Sequence, residues 1–102
     1  MISDKNERKN NLLRKYLYKK HDIDIHIWIS SSMTDTESKV LELLLKGYTI
    51  SRISESRGRS VKTVSLQKHQ IYKKLGIRND ITFWLDLSLS PYVKIKLTKR
   101  TH

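Results

Sequence analysis

At 102 residues the chain has material for one small domain, which buries only about 60–65% of the surface its unfolded form exposes and leaves little room for a deep cofactor pocket. Lysine and arginine outnumber aspartate and glutamate 21 to 10, a formal net charge of +11 that favours binding to phosphates over binding to other proteins. The absence of cysteine excludes disulfides, thiolate metal sites and cysteine nucleophiles together.

Residues 1–9 lack the apolar run that an export signal needs after its positive start. The longest purely apolar run, Leu43-Leu44-Leu45, is far short of the ~20 residues that span a bilayer, so a cytoplasmic protein with no membrane association is expected. Over residues 3–20, Leu12, Leu13, Tyr16 and Leu17 recur at helical spacing among Arg14, Lys15, Lys19 and Lys20, which predicts a short basic amphipathic helix. Over 22–29 isoleucine takes every second position and predicts a half-buried strand. The polar face of that strand carries Asp22, Asp24 and His26, which are metal-ligand types in a row. A strand wet on one side must carry polar residues there, and no partners to orient such ligands are evident, so the row reads as solvated surface and no metal is assigned.

Ser30-Ser31-Ser32 reads as a linker. Thr34-Asp35-Thr36-Glu37 is a capping box, in which the Thr34 hydroxyl and the Glu37 carboxylate each satisfy an orphan backbone donor. Val40, Leu41, Leu44 and Leu45 supply a buried stripe and Gly47 ends it, giving a first helix at 35–46. Thr49 caps a second helix through Ile50 and Ile53 to about Arg57, where Gly58 breaks it; Ser60 caps a third, 61–75, which Gly76 ends. A connection this short and containing glycine is that of a helix-turn-helix. Asn79 or Asp80 opens a fourth helix, stopped by Ser90-Pro91. On it Ile81, Trp84, Leu85 and Ser88 form one face, and Phe83 and Leu87 a second. A helix apolar on two sides of a small domain covers its own core and something else: a second subunit, through Ile81, Phe83, Trp84 and Leu87, or the N-terminal segment. The tail 92–100 alternates again and predicts an edge strand beside 23–29, its lysines discouraging aggregation or touching phosphate. The expected architecture is mainly α, with a basic helix, strand and serine linker over 1–32, a four-helix domain over 33–90 and a basic tail over 91–102.

The third helix carries the functional signal. At about 100° per residue, Val64, Ile71 and Leu75 fall on one side, while Lys62, Ser65, Leu66, His69 and Lys73 gather on the other. Every group fully charged at neutral pH between positions 57 and 78 is positive, so the partner that suits the outer side is a polyanion shaped to accept a helix, and duplex DNA leads.

Residues 33–88 resemble the DNA-binding domain of LuxR/FixJ-type (GerE-like) transcriptional regulators. The resemblance rests on Met33-Thr34 with Glu37, Val40-Leu41 and Leu44, then Gly47, Ile53, Ser60 with Lys62-Thr63-Val64, and Lys74-Leu75-Gly76-Ile77. Within that family, Arg59-Ser60-Val61-Lys62-Thr63-Val64-Ser65, Gln67-Lys68 and Lys74-Leu75-Gly76 with Asn79-Asp80-Ile81 are similar to the capsule-synthesis phosphorelay (Rcs) regulators. Thr36, Lys39, Ile50 and Arg57 depart from the pattern; Arg57 stands where an apolar residue usually closes the turn, a place its stem fills if the charge stays outside. The resemblance implies a four-helix LuxR-type domain whose third helix enters the major groove, acting as a homodimer or a heterodimer with a related regulator. It places Ser65, Leu66 and His69 at base edges, and Thr49, Ser51, Arg59, Ser60, Lys62, Thr63, Gln67, Lys68 and Lys73 at phosphates. The segment before Met33 is too short for the receiver domain of the family's response regulators, so Asp22 and Asp24 are not assigned as phosphoacceptors, and no cofactor is expected.

Two other classes compete. An adaptor would bind another regulator or RNA polymerase without reading DNA. An RNA-binding protein needs exposed aromatic residues, for which Tyr48 and Tyr72 are available without an evident platform. Catalysis is not supported: His21, His26, His69 and His102 are scattered, and neither a glycine-rich phosphate loop nor a nucleophile and base can be assembled.

Overall fold

A computed structural model describes residues 12–100, along which the chain runs through β1 (Leu12–Lys20), β2 (Ile23–Ser31), α1 (Asp35–Leu45), α2 (Ile50–Arg57), α3 (Val61–Leu75), α4 (Phe83–Leu89) and β3 (Val93–Lys99). Residues 12–20 form a strand, not the expected helix; the rest of that expected helix lies outside the described residues. The spacing of Leu12, Leu13, Tyr16 and Leu17 suits a helix only in isolation. β2 offers unbroken antiparallel pairing from Leu12 opposite Ser31 to Lys20 opposite Ile23, and strand alternation turns Tyr16 inward while Leu13 and Leu17 face out. His21 makes the tight connection at φ 57, a left-handed conformation that histidine enters more readily than most side chains. Ser30 and Ser31 extend β2 and are not a linker.

The tail strand forms as its alternation predicts: β3 pairs antiparallel along the other edge of β2, from Ile23 opposite Lys99 to Ile29 opposite Val93. Strand order is β1-β2-β3, so the two ends of the described chain share one sheet. Its inner face lays Tyr16, Ile27 and Ile29, flanked by Ile25, Val93 and Ile95, against Val40, Leu41, Ile53, Val64, Ile71, Leu75 and Leu87 of the helices. One apolar core therefore serves both layers, and fully burying each such side chain contributes about 1.5–3 kcal/mol.

Polar ties set the layers in place. The capping box forms as predicted, with Glu37 N–H donating to Thr34 Oγ1 at 3.0 Å and Thr34 N–H to Glu37 Oε1 at 3.1 Å. The same Glu37 oxygen accepts from Lys74 Nζ at 2.7 Å, joining the start of α1 to the end of α3. Arg14 on β1 reaches Asp35 at 3.0 Å, and the Tyr16 and Ser38 hydroxyls share a hydrogen bond of 2.6 Å. Helix α4 starts at Phe83, later than Asn79 or Asp80, because the preceding residues are drawn into a turn. Asn79 Oδ1 accepts from Thr82 N–H, and the Asp86 carboxylate accepts from the Thr82 hydroxyl at 2.6 Å, the Arg78 N–H at 2.9 Å and the Arg78 guanidinium. Those donors, Thr82 foremost, lower the Asp86 pKa to about 2.

Candidate nucleic-acid interface

The two helices of the motif are fixed by local chemistry. Thr49 Oγ1 accepts from Arg52 N–H at the start of α2, and Gly58 ends that helix at φ 63, where a side chain would meet no neighbouring atom but would strain the backbone. Ser54 Oγ donates to the Arg59 carbonyl across the turn, and Ser60 Oγ accepts from Thr63 N–H to start α3. Ile53 and Val64, both fully buried, clamp the two helices together. Arg57, in the last turn of α2, is half-buried.

On α3 the predicted partition of faces holds. Val64, Ile71 and Leu75 are 0% exposed, whereas Lys62, His69 and Lys73 are exposed and Leu66 is 57% exposed between them. Ser65 and Gln67 flank this ridge, half-buried; Arg59, Ser60 and Thr63 lie exposed at its N-terminal end, and Thr49 and Ser51 are exposed at the start of α2. Gln70 is exposed beside the ridge and was missed by the sequence reading, although the same angular count puts it about 40° from Leu66. A glutamine there has the bidentate donor and acceptor pair that suits adenine.

Lys68 is placed differently. It lies about 40° from Val64, on the core side of the helix, so its side chain is only 17% exposed and pairs with Asp80 at 2.8 Å while lying over the Tyr72 ring. Together with the Tyr72 hydroxyl, which donates to Asp80 at 2.7 Å, Lys68 holds the Asp80 carboxyl below its usual range; burial in turn pushes the Tyr72 hydroxyl up. Lys68 and Lys74 thus tie α3 to its own domain, which concentrates the outward charge on Lys62 and Lys73.

The dimer candidates divide as well. Phe83 is 7% exposed and Leu87 0%, because both enter the core; they are not available to a second subunit. Ile81 at 95%, Leu85 at 55% and Leu89 at 71% remain outside. Trp84 is 41% exposed, with Tyr18 of β1 at 6.1 Å between ring centroids, so the N-terminal segment covers part of the face that carries Ile81, Trp84 and Leu85. Tyr72 tilts against Phe83 and Tyr48 lies under Arg52, so neither offers a stacking platform. The polar row of β2 is engaged on its own sheet: His26 Nε2 lies 3.0 Å from Thr98 Oγ1, Asp24 pairs with Arg100, and Asp22 sits exposed in the turn. No helix among the described residues is long and apolar enough to cross a membrane.

Comparison with known proteins converges on this segment. The family described as bacterial regulatory proteins, luxR family, matches residues 31–83. Among Escherichia coli K12 proteins, the cyclic di-GMP phosphodiesterase PdeL is 44% identical over 63 residues, 62% of this chain but 17% of its own. The HTH-type transcriptional regulator YuaB is 42% identical over 69 residues, 68% of this chain and 20% of its own, and the transcriptional regulatory protein RcsB is 37% identical over 62 residues, 58% of this chain and 29% of its own. The chain thus spans less than a third of the length of these relatives. No solved structure matches it.

Proposed function

This chain belongs to the luxR family of bacterial regulatory proteins, and on that premise we propose that it is a sequence-specific DNA-binding transcriptional regulator that seats α3 in the major groove. The observation that carries the reading is the ridge of Lys62, Leu66, His69 and Lys73, exposed on a helix whose opposite side is fully buried. An outward leucine between cations suits a groove that offers thymine methyls beside phosphates. His69, Ser65 and Gln70 supply hydrogen bonds to base edges, and Lys62 and Lys73 reach the backbones that border the groove. Arg59, Ser60, Thr63 and Gln67, with Thr49 and Ser51 of α2, fix the register on phosphate.

The exposed strip of Ile81, Leu85 and Leu89, with the wet edge of Trp84, pairs two subunits, either two copies or one copy and a related regulator. Two domains so joined place half-sites about 10 bp apart or a multiple of that. The site of action is the cytoplasm, at the nucleoid while DNA is bound. Selection from a random duplex library, followed by titration at several salt concentrations, tests the reading: an enriched motif and an affinity that falls with salt are expected. Absence of any duplex bound above background would sink it and leave the adaptor, for which a shift appearing only with a partner regulator is the signature.

A further inference from the structure

The outer face of the sheet is built as regularly as the helical ridge, and the duplex reading leaves it unused. Register sets its side chains in rows across the three strands: Leu13, Ser30 and Tyr92, then Lys15, Trp28 and Lys94, then Leu17, His26 and Lys96. Trp28 therefore has a lysine beside it on each neighbouring strand, and Lys15 Nζ lies 5.2 Å from its ring centroid. His26 stacks on Trp28 with centroids 5.9 Å apart and planes 15° from parallel. Tyr92 is 50% exposed, and a hollow of about 760 Å³ lined by Leu13, Trp28, Ser30, Pro91, Tyr92 and Lys94 opens along these rows. The next row carries Asp24, which Arg100 neutralises at 3.1 Å, so cations dominate the face.

We propose that this face binds single-stranded RNA. Unpaired bases need flat aromatic surfaces: within one hollow Tyr92 offers a half-exposed ring, and Trp28, half-buried beside Lys15 and His26, offers the part of its indole that lines the hollow; a duplex keeps its base faces in its own stack and gains nothing from them. Lys15, Lys94 and Lys96 meet the phosphates between those bases, whereas an apolar protein surface would have to desolvate them. The exposed Ser30 and Tyr92 hydroxyls stand where a ribose 2′-OH finds donor and acceptor, a group DNA lacks.

The test titrates the whole chain with a short fluorescein-labelled oligouridylate, following anisotropy and, in a Trp84→Phe background, quenching of Trp28. Trp28→Ala should weaken binding about tenfold and Trp28→Phe recover most of the loss. Lys94→Ala combined with Lys96→Ala should flatten the salt slope by about 1.4, from two phosphates at about 0.7 each. Because both lysines are exposed, this pair keeps the test sound even if Trp28→Ala fails to fold. Compared with the chain carrying the same residue at position 84, duplex affinity should stay unchanged on Trp28→Ala, Trp28→Phe or the double lysine replacement, and oligothymidylate of equal length should bind more weakly than oligouridylate. The proposal is overturned by absent binding, by variants with unaltered affinity and slope, by oligothymidylate bound as tightly, or by duplex and RNA binding lost together. Self-association abolished by Trp28→Ala, without oligouridylate bound, would assign the face to a second copy and overturn it too. Loss of duplex binding alone would sink the preceding reading and leave this one standing.

Discussion

The outer ridge of α3 and the outer face of the sheet both set lysines around exposed apolar side chains, yet forces of different range build them. On α3 the arrangement follows from two caps, Ser60 and Gly76, and the helical repeat, all within one short segment. On the sheet, Lys15, Trp28 and Lys94 become neighbours only because the β1–β2 hairpin and the distant strand β3 pair in one register. A surface made locally survives small rearrangements of the rest; one made by register is lost whenever a strand slips by a residue, since every side chain then changes face.

The comparison breaks most severely if the two layers do not share one core. Ile27→Ala in β2 and Ile71→Ala in α3, both at fully buried positions, should each cost about 2–5 kcal/mol and leave a single unfolding transition. Far-UV circular dichroism and tryptophan fluorescence should report the same midpoint; separate midpoints would show that the sheet unfolds on its own. Next in size is the contrast between two ion-paired lysines of α3. Lys74→Ala strands the buried Glu37 carboxylate and should cost about 2 kcal/mol, somewhat less than fully buried pairs because Lys74 is 28% exposed. Lys68→Ala frees an Asp80 that is 70% exposed and should cost below about 1 kcal/mol. Denaturant titrations of the two variants measure the difference, and equal losses would contradict it.

Smaller effects appear in binding. Lys62→Ala or Lys73→Ala should weaken all duplexes alike and reduce the salt slope by about 0.9 each, whereas Leu66→Ala or His69→Ala should mainly relax base preference, by about 1 kcal/mol. Lysine variants that lose specificity at a fixed salt slope would reverse these roles. The last effect is read in the pH dependence and comes from Asp86, whose pKa is depressed from the ordinary 3.8 to about 2. A carboxylate held that way stabilises the fold fully above its unfolded pKa, and the contribution is lost as pH falls through the folded one. Melting temperature should therefore fall more steeply toward pH 2 in the parent than in Asp86→Asn, and parallel curves would remove Asp86 from the acid response.

Helices α1 to α3 were legible because their signals are local. Thr34 with Glu37, Thr49, Ser60, Gly58 and Gly76 mark starts and stops through hydrogen bonds and φ values that involve near neighbours alone, and the outward set on α3 follows from geometry. Where residues choose between two partners, legibility fails. Lys68 looks like every other cation of the segment until Asp80 arrives beside it, and Asn79 and Asp80 look like a helix start until Asp86 folds back on Thr82 and Arg78.

The sequence by itself determined the helix-turn-helix, its caps and the cationic ridge, since each depends on contacts within a few residues and on one helical period. Only the tertiary structure decided that residues 12–20 are strand, that Phe83 and Leu87 belong to the core, and that Trp28 stands between lysines. Backbone pairing and burial against distant elements settle those choices, and neither leaves a mark in the local pattern.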